Sequence, residues 1–174
     1  MLAADMRRLL AALAAALVLF LVGRWVVLAL VGDETRIRWR LESMVEGFNE
    51  TRLAPCLEGV APQWRHDHSR VDCELLTELL RSVFFNEKDP ETGRFPLRAE
   101  IEPESLEITL DEEREGRARA LFTGRFLVLE EGEWSSAWLA RLELELEQDE
   151  ERGWQVVRSE HTDIEADGRF LGMR

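Results

Sequence analysis

Ala137-Trp-Leu-Ala-Arg-Leu-Glu-Leu-Glu-Leu-Glu-Gln148 is the stretch that decides the fold. Trp138, Ala140, Leu142, Leu144 and Leu146 occupy one parity, and Arg141, Glu143, Glu145 and Glu147 the other. A period of two marks a strand with one buried and one solvated face. The charged back also protects a long strand from edge pairing. Downstream, residues 149–153 read as a hairpin turn into a last strand over 154–164. Upstream, Glu131-Gly-Glu133 turns the chain from a long strand over 117–130. There Ala118, Ala120, Phe122, Phe126 and Val128 share a face, and Gly124 marks a bend in mid-strand. Residues 111–116 form a charged turn. Before it, Leu97, Ala99 and Ile101 alternate on one parity and Leu106, Ile108 and Leu110 on the other, with Pro103 between them. One extra residue at a bulge would return both runs to a common face.

Helices precede these strands. Ile37, Leu41, Met44, Val45 and Phe48 recur at helical spacing, which predicts a helix over 33–49 with Asp33 and Glu34 in the favourable first turn. Residues 51–69 carry Pro55 and Pro62 and read as a short helix plus a loop. Ser69-Arg-Val-Asp72 has the form of a capping box opening a second main helix. Val71, Leu75, Leu76, Leu79, Leu80 and Val83 are its expected buried face, and it ends near Asn86. Helices followed by an antiparallel meander make an α+β domain.

The first residues have another character. Residues 9–31 are apolar apart from Arg24. As a helix they would extend ~35 Å, enough to cross a ~30 Å hydrocarbon core. A central arginine costs ~2.5–3.5 kcal/mol on the insertion scale, and the leucines, valines and phenylalanine of the run each return ~0.3–0.6 kcal/mol, so insertion is favoured. A single uncleaved membrane anchor is therefore expected, in preference to a cleaved signal peptide. The expected organisation is a short tail (1–8), a transmembrane helix (9–31), the α+β domain (33–164) and a C-terminal tail (165–174). The short N-terminal tail favours an extracytoplasmic domain.

The 174 residues hold 22 Lys+Arg against 35 Asp+Glu, a net charge of −13, with the acid concentrated after residue 32. Such a chain repels phosphate and excludes nucleic acid as an expected partner. Lys88 is the one lysine among the basic residues, a bias that points to a GC-rich, bacterial genome.

The order of elements, the Phe48-Asn49 close of the first helix and the Trp154-Gln-Val-Val157 start of the last strand resemble the NTF2-like (SnoaL-like) superfamily over residues 33–164. The resemblance implies a curved sheet wrapped around helices into a cone with an internal pocket. The superfamily includes isomerases, dehydratases, adaptor and transport proteins, and anchored secretion-system domains, so the resemblance implies a pocket and leaves its use open.

Chemistry-bearing residues are few. Trp64-Arg-His66-Asp-His68 contains a His-x-His pair, which can ligate a metal from an extended segment, but no third ligand lies nearby in sequence. Glu160, His161 and Asp163 are the residues of the last strand that could approach it. No metal and no cofactor are expected. Ser159, His161 and Asp163 share one face, and a histidine beside an aspartate is a base with its orienter. These make His66, His68, His161 and Asp163 weak catalytic candidates. The chain has no tyrosine, which excludes the tyrosine-based oxyanion hole of ketosteroid isomerases. Trp64, Phe84, Phe85, Trp138 and Arg158 are the expected pocket walls. Cys56 and Cys73 are either a disulfide, worth ~3 kcal/mol by loop closure, or two buried thiols. Asn49-Glu-Thr51 fits a glycosylation acceptor pattern by chance. The expected function is a non-catalytic module binding a small apolar ligand or an envelope protein near the membrane. A small-molecule lyase or isomerase using the histidines is the alternative, and a structural subunit of an envelope or secretion complex, or a homodimer, is a further one.

Overall fold

A computed structural model describes residues 31–67, 71–90 and 92–166, the side chains of Asp163 and Ala166 excepted. All but the last residue of the expected anchor, together with His68, Ser69 and the chain beyond Ala166, lie outside the described residues. Among the described residues no helix is long and apolar enough to cross a membrane. The chain divides into two units, Met1–Thr35 and Arg36–Arg174. The fold is that of the second.

Helix α1 (Asp33–Asn49) buries Ile37 and Leu41 completely or nearly so. Gly47 lets the next helix, α2 (Leu53–Glu58), come close, because a Cβ there would lie 2.8 Å from that of Pro55. The expected loop after α2 is instead a strand, β1 (Val60–His66). Pro62 does not break it, since β1 is the end strand of the sheet among the described residues, bridged on its outer side at Arg65 by Asp72, and proline's missing N–H costs nothing at a sheet edge. Helix α3 (Cys73–Asn86) begins later than its sequence signals suggested. Its cap is Asp72 itself, whose side chain accepts from the Leu75 N–H at 2.9 Å. The expected buried face of α3 was too wide. Leu76 and Leu80 point inward and Phe84 is buried, whereas Leu75 and Leu79 are exposed. A helix that packs on one side only needs no more than this i, i+4, i+8 stripe.

Strands β2 (Leu97–Ile101), β3 (Glu107–Leu110), β4 (Arg117–Glu130), β5 (Glu133–Asp149) and β6 (Gly153–Ala166) complete one sheet in the order β1-β6-β5-β4-β2, with β3 also on β4. The sheet is mixed rather than purely antiparallel, because β1 runs parallel to β6, with His66 opposite Ser159. The parity change at Pro103 is absorbed by a short 3-10 turn, Pro103–Ser105, instead of a one-residue bulge. Ala99 then lies opposite Phe126 and Ile108 opposite Ala120, so both runs face the same way. Register irregularities at 126/127 of β4, 139/140 and 145/146 of β5 add twist and bend to the longest strands. The result is an α+β fold with helices packed on a curved mixed sheet.

The core joins α1 to the concave face through Ile37, Leu41, Trp64, Ala120, Phe122, Leu144, Leu146 and Trp154. Each large side chain removed from water contributes ~1.5–3 kcal/mol. The opposite face carries ion pairs between Arg119 and Glu143 and between Arg117 and Glu147, the solvated back expected from the alternation.

Candidate functional site

The core does not fill the concave side. A cavity of about 310 Å³ remains between α1, α3 and the sheet. Its wall is nearly all apolar: Met44 and Phe48 from α1, Leu76 and Leu80 from α3, Trp64 from β1, Phe126 and Gly124 from β4, Trp138 and Leu142 from β5. Gly124 supplies room, since a Cβ there would sit 2.5 Å from Leu142 Cδ1. The volume is at the lower end of the ligand-site range. A larger hollow of about 600 Å³ at the β5–β6 turn, lined by Glu147, Asp149, Glu150, Glu151 and Arg152, is an open polar groove of hairpin surface.

Aromatic rings follow one another along the cavity. Phe84 and Phe95 pack on Phe48, Phe48 meets Phe126 edge-on at 5.3 Å, and Phe126 meets Trp138 at 5.5 Å. Trp138 in turn meets the His161 ring at 5.7 Å. Polar groups reach the wall at Ser159, Glu100 and Arg125. Arg125 is held by Glu102 at 2.5 Å, and Glu100 pairs with Arg98.

At the Trp138 end lies a histidine pair. His161 Nδ1 is 2.9 Å from His66 Nε2, and His66 Nδ1 is 2.8 Å from the Ser159 carbonyl oxygen and 3.1 Å from its hydroxyl. A carbonyl only accepts, so His66 donates from Nδ1. Neutral His66 then has its lone pair on Nε2, and His161 donates to it from Nδ1. This chain of donors holds both rings in one tautomer and one orientation. The strands place the pair: His66 faces Ser159 in the parallel β1–β6 register, and His161 is two residues further along the same face.

The expected residues are therefore distributed unevenly. Trp64 and Trp138 line the cavity, and His66 and His161 come together beside it. Phe84 is buried against Phe48 and Phe95 behind the wall. Phe85 is not a wall: it is 85% exposed, because the residue after Phe84 is turned to the other side of α3. Arg158 is not a wall either. It points to the opposite side of β6 from Ser159 and forms a two-pronged ion pair with Asp67 and a further contact with Glu145 at 3.3 Å. The Asp67 carboxylate holds its guanidinium even more firmly protonated than usual. His68 lies outside the described residues, as does the Asp163 side chain. Cys56 and Cys73 are free thiols. Burial pushes the Cys56 thiol up to about 11, which makes it an inert core group. Among the described residues no group of three or more His, Cys, Asp or Glu is placed to hold a metal ion. Phe48, Phe126, Leu76 and Leu80 were legible only as inward-facing residues. Nothing in their spacing distinguishes a cavity wall from a packed core.

No family model and no curated protein matches the chain. Solved structures do. An NTF2-like protein with a cystatin-like fold from Novosphingobium aromaticivorans matches with a TM-score of 0.61 at 12% identity, over 83% of this chain and 88% of that one. An NTF2-like superfamily protein from Salmonella enterica matches with a TM-score of 0.58 at 11% identity, over 80% and 96%. A suggested aromatic ring hydroxylase from Novosphingobium aromaticivorans matches with a TM-score of 0.57 at 12% identity, over 76% and 90%. Likeness at such identities is a likeness of fold. The domain has the NTF2-like, cystatin-like fold.

Proposed function

We propose that this domain is a binding module for a small apolar molecule, held at a membrane by residues 9–31. The observation that carries the reading is the cavity of about 310 Å³ with an almost wholly apolar wall. A hollow of that size lined by Phe48, Phe126 and Trp138 offers apolar surface that a ligand would remove from water. The aromatic edges favour a flat ring system. The membrane part rests on the apolar run in the sequence.

The test is titration of the full chain with 2-naphthol, followed by thermal shift and by tryptophan fluorescence, beside the cavity-filling variant Leu80→Trp. Saturable binding lost in Leu80→Trp supports the reading. No saturable binding below about 1 mM, or equal binding by the variant, overturns it. Sedimentation of the full chain with membranes, lost on deleting residues 9–31, tests the anchor.

A second reading, a proton-transferring lyase or isomerase, is favoured by one observation, the 2.9 Å hydrogen bond between His66 and His161 next to Trp138. It requires turnover of a hydratase or isomerase substrate that His161→Gln abolishes and Leu80→Trp weakens.

A further inference from the structure

We propose that His66 and His161 form a chelating site for a borderline divalent cation such as Zn²⁺ or Co²⁺, which takes the place of the proton shared between the two rings. This goes beyond ligand binding in the cavity and does not depend on it.

The argument begins with the tautomer. His66 Nδ1–H is committed to the Ser159 carbonyl at 2.8 Å, so Nε2, which faces His161, is the nitrogen at which a metal ion would replace the shared proton. A metal-ligating histidine characteristically donates its other N–H to a carbonyl in this way, which fixes the ring and raises its basicity. The His161 Nδ1 atom lies 2.9 Å away, on the far side of the shared proton. Two Zn–N bonds of ~2.0–2.1 Å at the tetrahedral angle put their nitrogens ~3.3 Å apart. The two rings lie within 11° of parallel, and an opening of a few tenths of an ångström admits a metal ion between the two facing nitrogens once the proton on His161 Nδ1 has moved. His161 need lose no proton, because a neutral imidazole moves its hydrogen from Nδ1 to Nε2.

The rings also stand on strands rather than loops. β1 and β6 are hydrogen-bonded in parallel, with His66 opposite Ser159, which limits the cost of organising the pair. Two imidazoles select Zn²⁺, Co²⁺, Ni²⁺ or Cu²⁺ over Mg²⁺ or Ca²⁺, which require oxygen. The domain's excess of acid raises the local concentration of cations. Water would complete the coordination.

The experiment is titration of the metal-stripped full chain with Zn²⁺ by calorimetry and with Co²⁺ by absorbance, for the parent and for His66→Gln, His161→Gln and His68→Gln. The expected result is one equivalent bound at micromolar concentration, weakened at least tenfold by His66→Gln and by His161→Gln. His68→Gln is the comparison for a histidine outside the pair, and an affinity that responds to it alone overturns the assignment. No saturable binding below about 1 mM, or binding indifferent to both His66→Gln and His161→Gln, overturns it too. Should either glutamine variant fail to fold, long-range ¹H–¹⁵N spectra of the parent decide: Zn²⁺ must move both His66 Nε2 and His161 Nδ1, and movement of neither overturns the site.

Discussion

Asn49 satisfies both backbone groups of Ala99 with one side chain: its Oδ1 accepts from the Ala99 N–H at 2.7 Å, and its Nδ2 donates to the Ala99 carbonyl at 3.0 Å. β2 closes one end of the strand order, and Ala99 would otherwise present an unpaired donor and acceptor there. The amide at the end of α1 acts as one rung of a missing strand and fastens the helix to the sheet beside the cavity. It also means that the nitrogen a glycan would occupy in Asn49-Glu-Thr51 is already engaged.

Asn49→Ala leaves both Ala99 groups part-buried without this partner, which costs ~1–3 kcal/mol. Asn49→Asp keeps the acceptor but sets a carboxylate against the Ala99 carbonyl, and it should cost about as much. Urea denaturation of the two variants measures the effect. A loss below a few tenths of a kcal/mol in both would show that the contact is dispensable.

How much of this was legible in the sequence depends on range. Strands β4, β5 and β6 declared themselves because Ala120, Leu144 and Trp154 each sit in a local pattern that only one face can satisfy. Helix α1 did so through Ile37 and Leu41. β1 was hidden, since Pro62 reads as a breaker unless the strand is known to lie at an edge, and its parallel partner β6 is about ninety residues away. The His66–His161 pair was legible as two candidates but not as a pair, because the register of β1 on β6 is a tertiary fact. Phe85 was misplaced for the converse reason: two adjacent phenylalanines on a helix cannot both face one wall, and sequence does not say which turns out.

Gly124 tests the cavity by a different route from filling it at Leu80. Its missing side chain leaves space into which Leu142 Cδ1 already reaches. Gly124→Ala should be tolerated in stability, because the atom in the way is the end of a flexible side chain. It should nevertheless push Leu142 into the void and weaken 2-naphthol at least fivefold. Unchanged affinity with unchanged stability would show that the ligand space lies elsewhere.

Cys56 provides a clock for opening of the core. With its thiol raised to about 11 by burial, its thiolate at pH 8 is ~100-fold scarcer than that of a thiol with the ordinary value of 9.0, by the tenfold change per pH unit. The thiol also faces the Arg52 carbonyl at 3.3 Å. Iodoacetamide should therefore label Cys56 at least a hundredfold more slowly in the native chain than in urea, as read by mass spectrometry of the Cys56 peptide. Similar rates in the two conditions would contradict the burial.

The β5–β6 turn carries a pH dependence whose sign is fixed. Asp149 accepts from the backbone N–H groups of Arg152 at 2.8 Å and Glu151 at 2.9 Å. The Arg152 contact is the larger cause and the Glu151 contact the next in holding its carboxyl below the ordinary 3.8. A carboxyl that is more acidic folded than unfolded adds stability above the unfolded value, and that stability is lost as the pH falls through the folded one. Asp149→Ala should therefore be less stable than the parent at pH 7, and the gap should narrow as the pH drops below about 4. The group is fully exposed, so the difference is small and is best read from midpoints measured side by side at pH 7, 5 and 3. A gap that widened toward acid would mean that the turn is held by the protonated carboxyl, contrary to its two N–H donors.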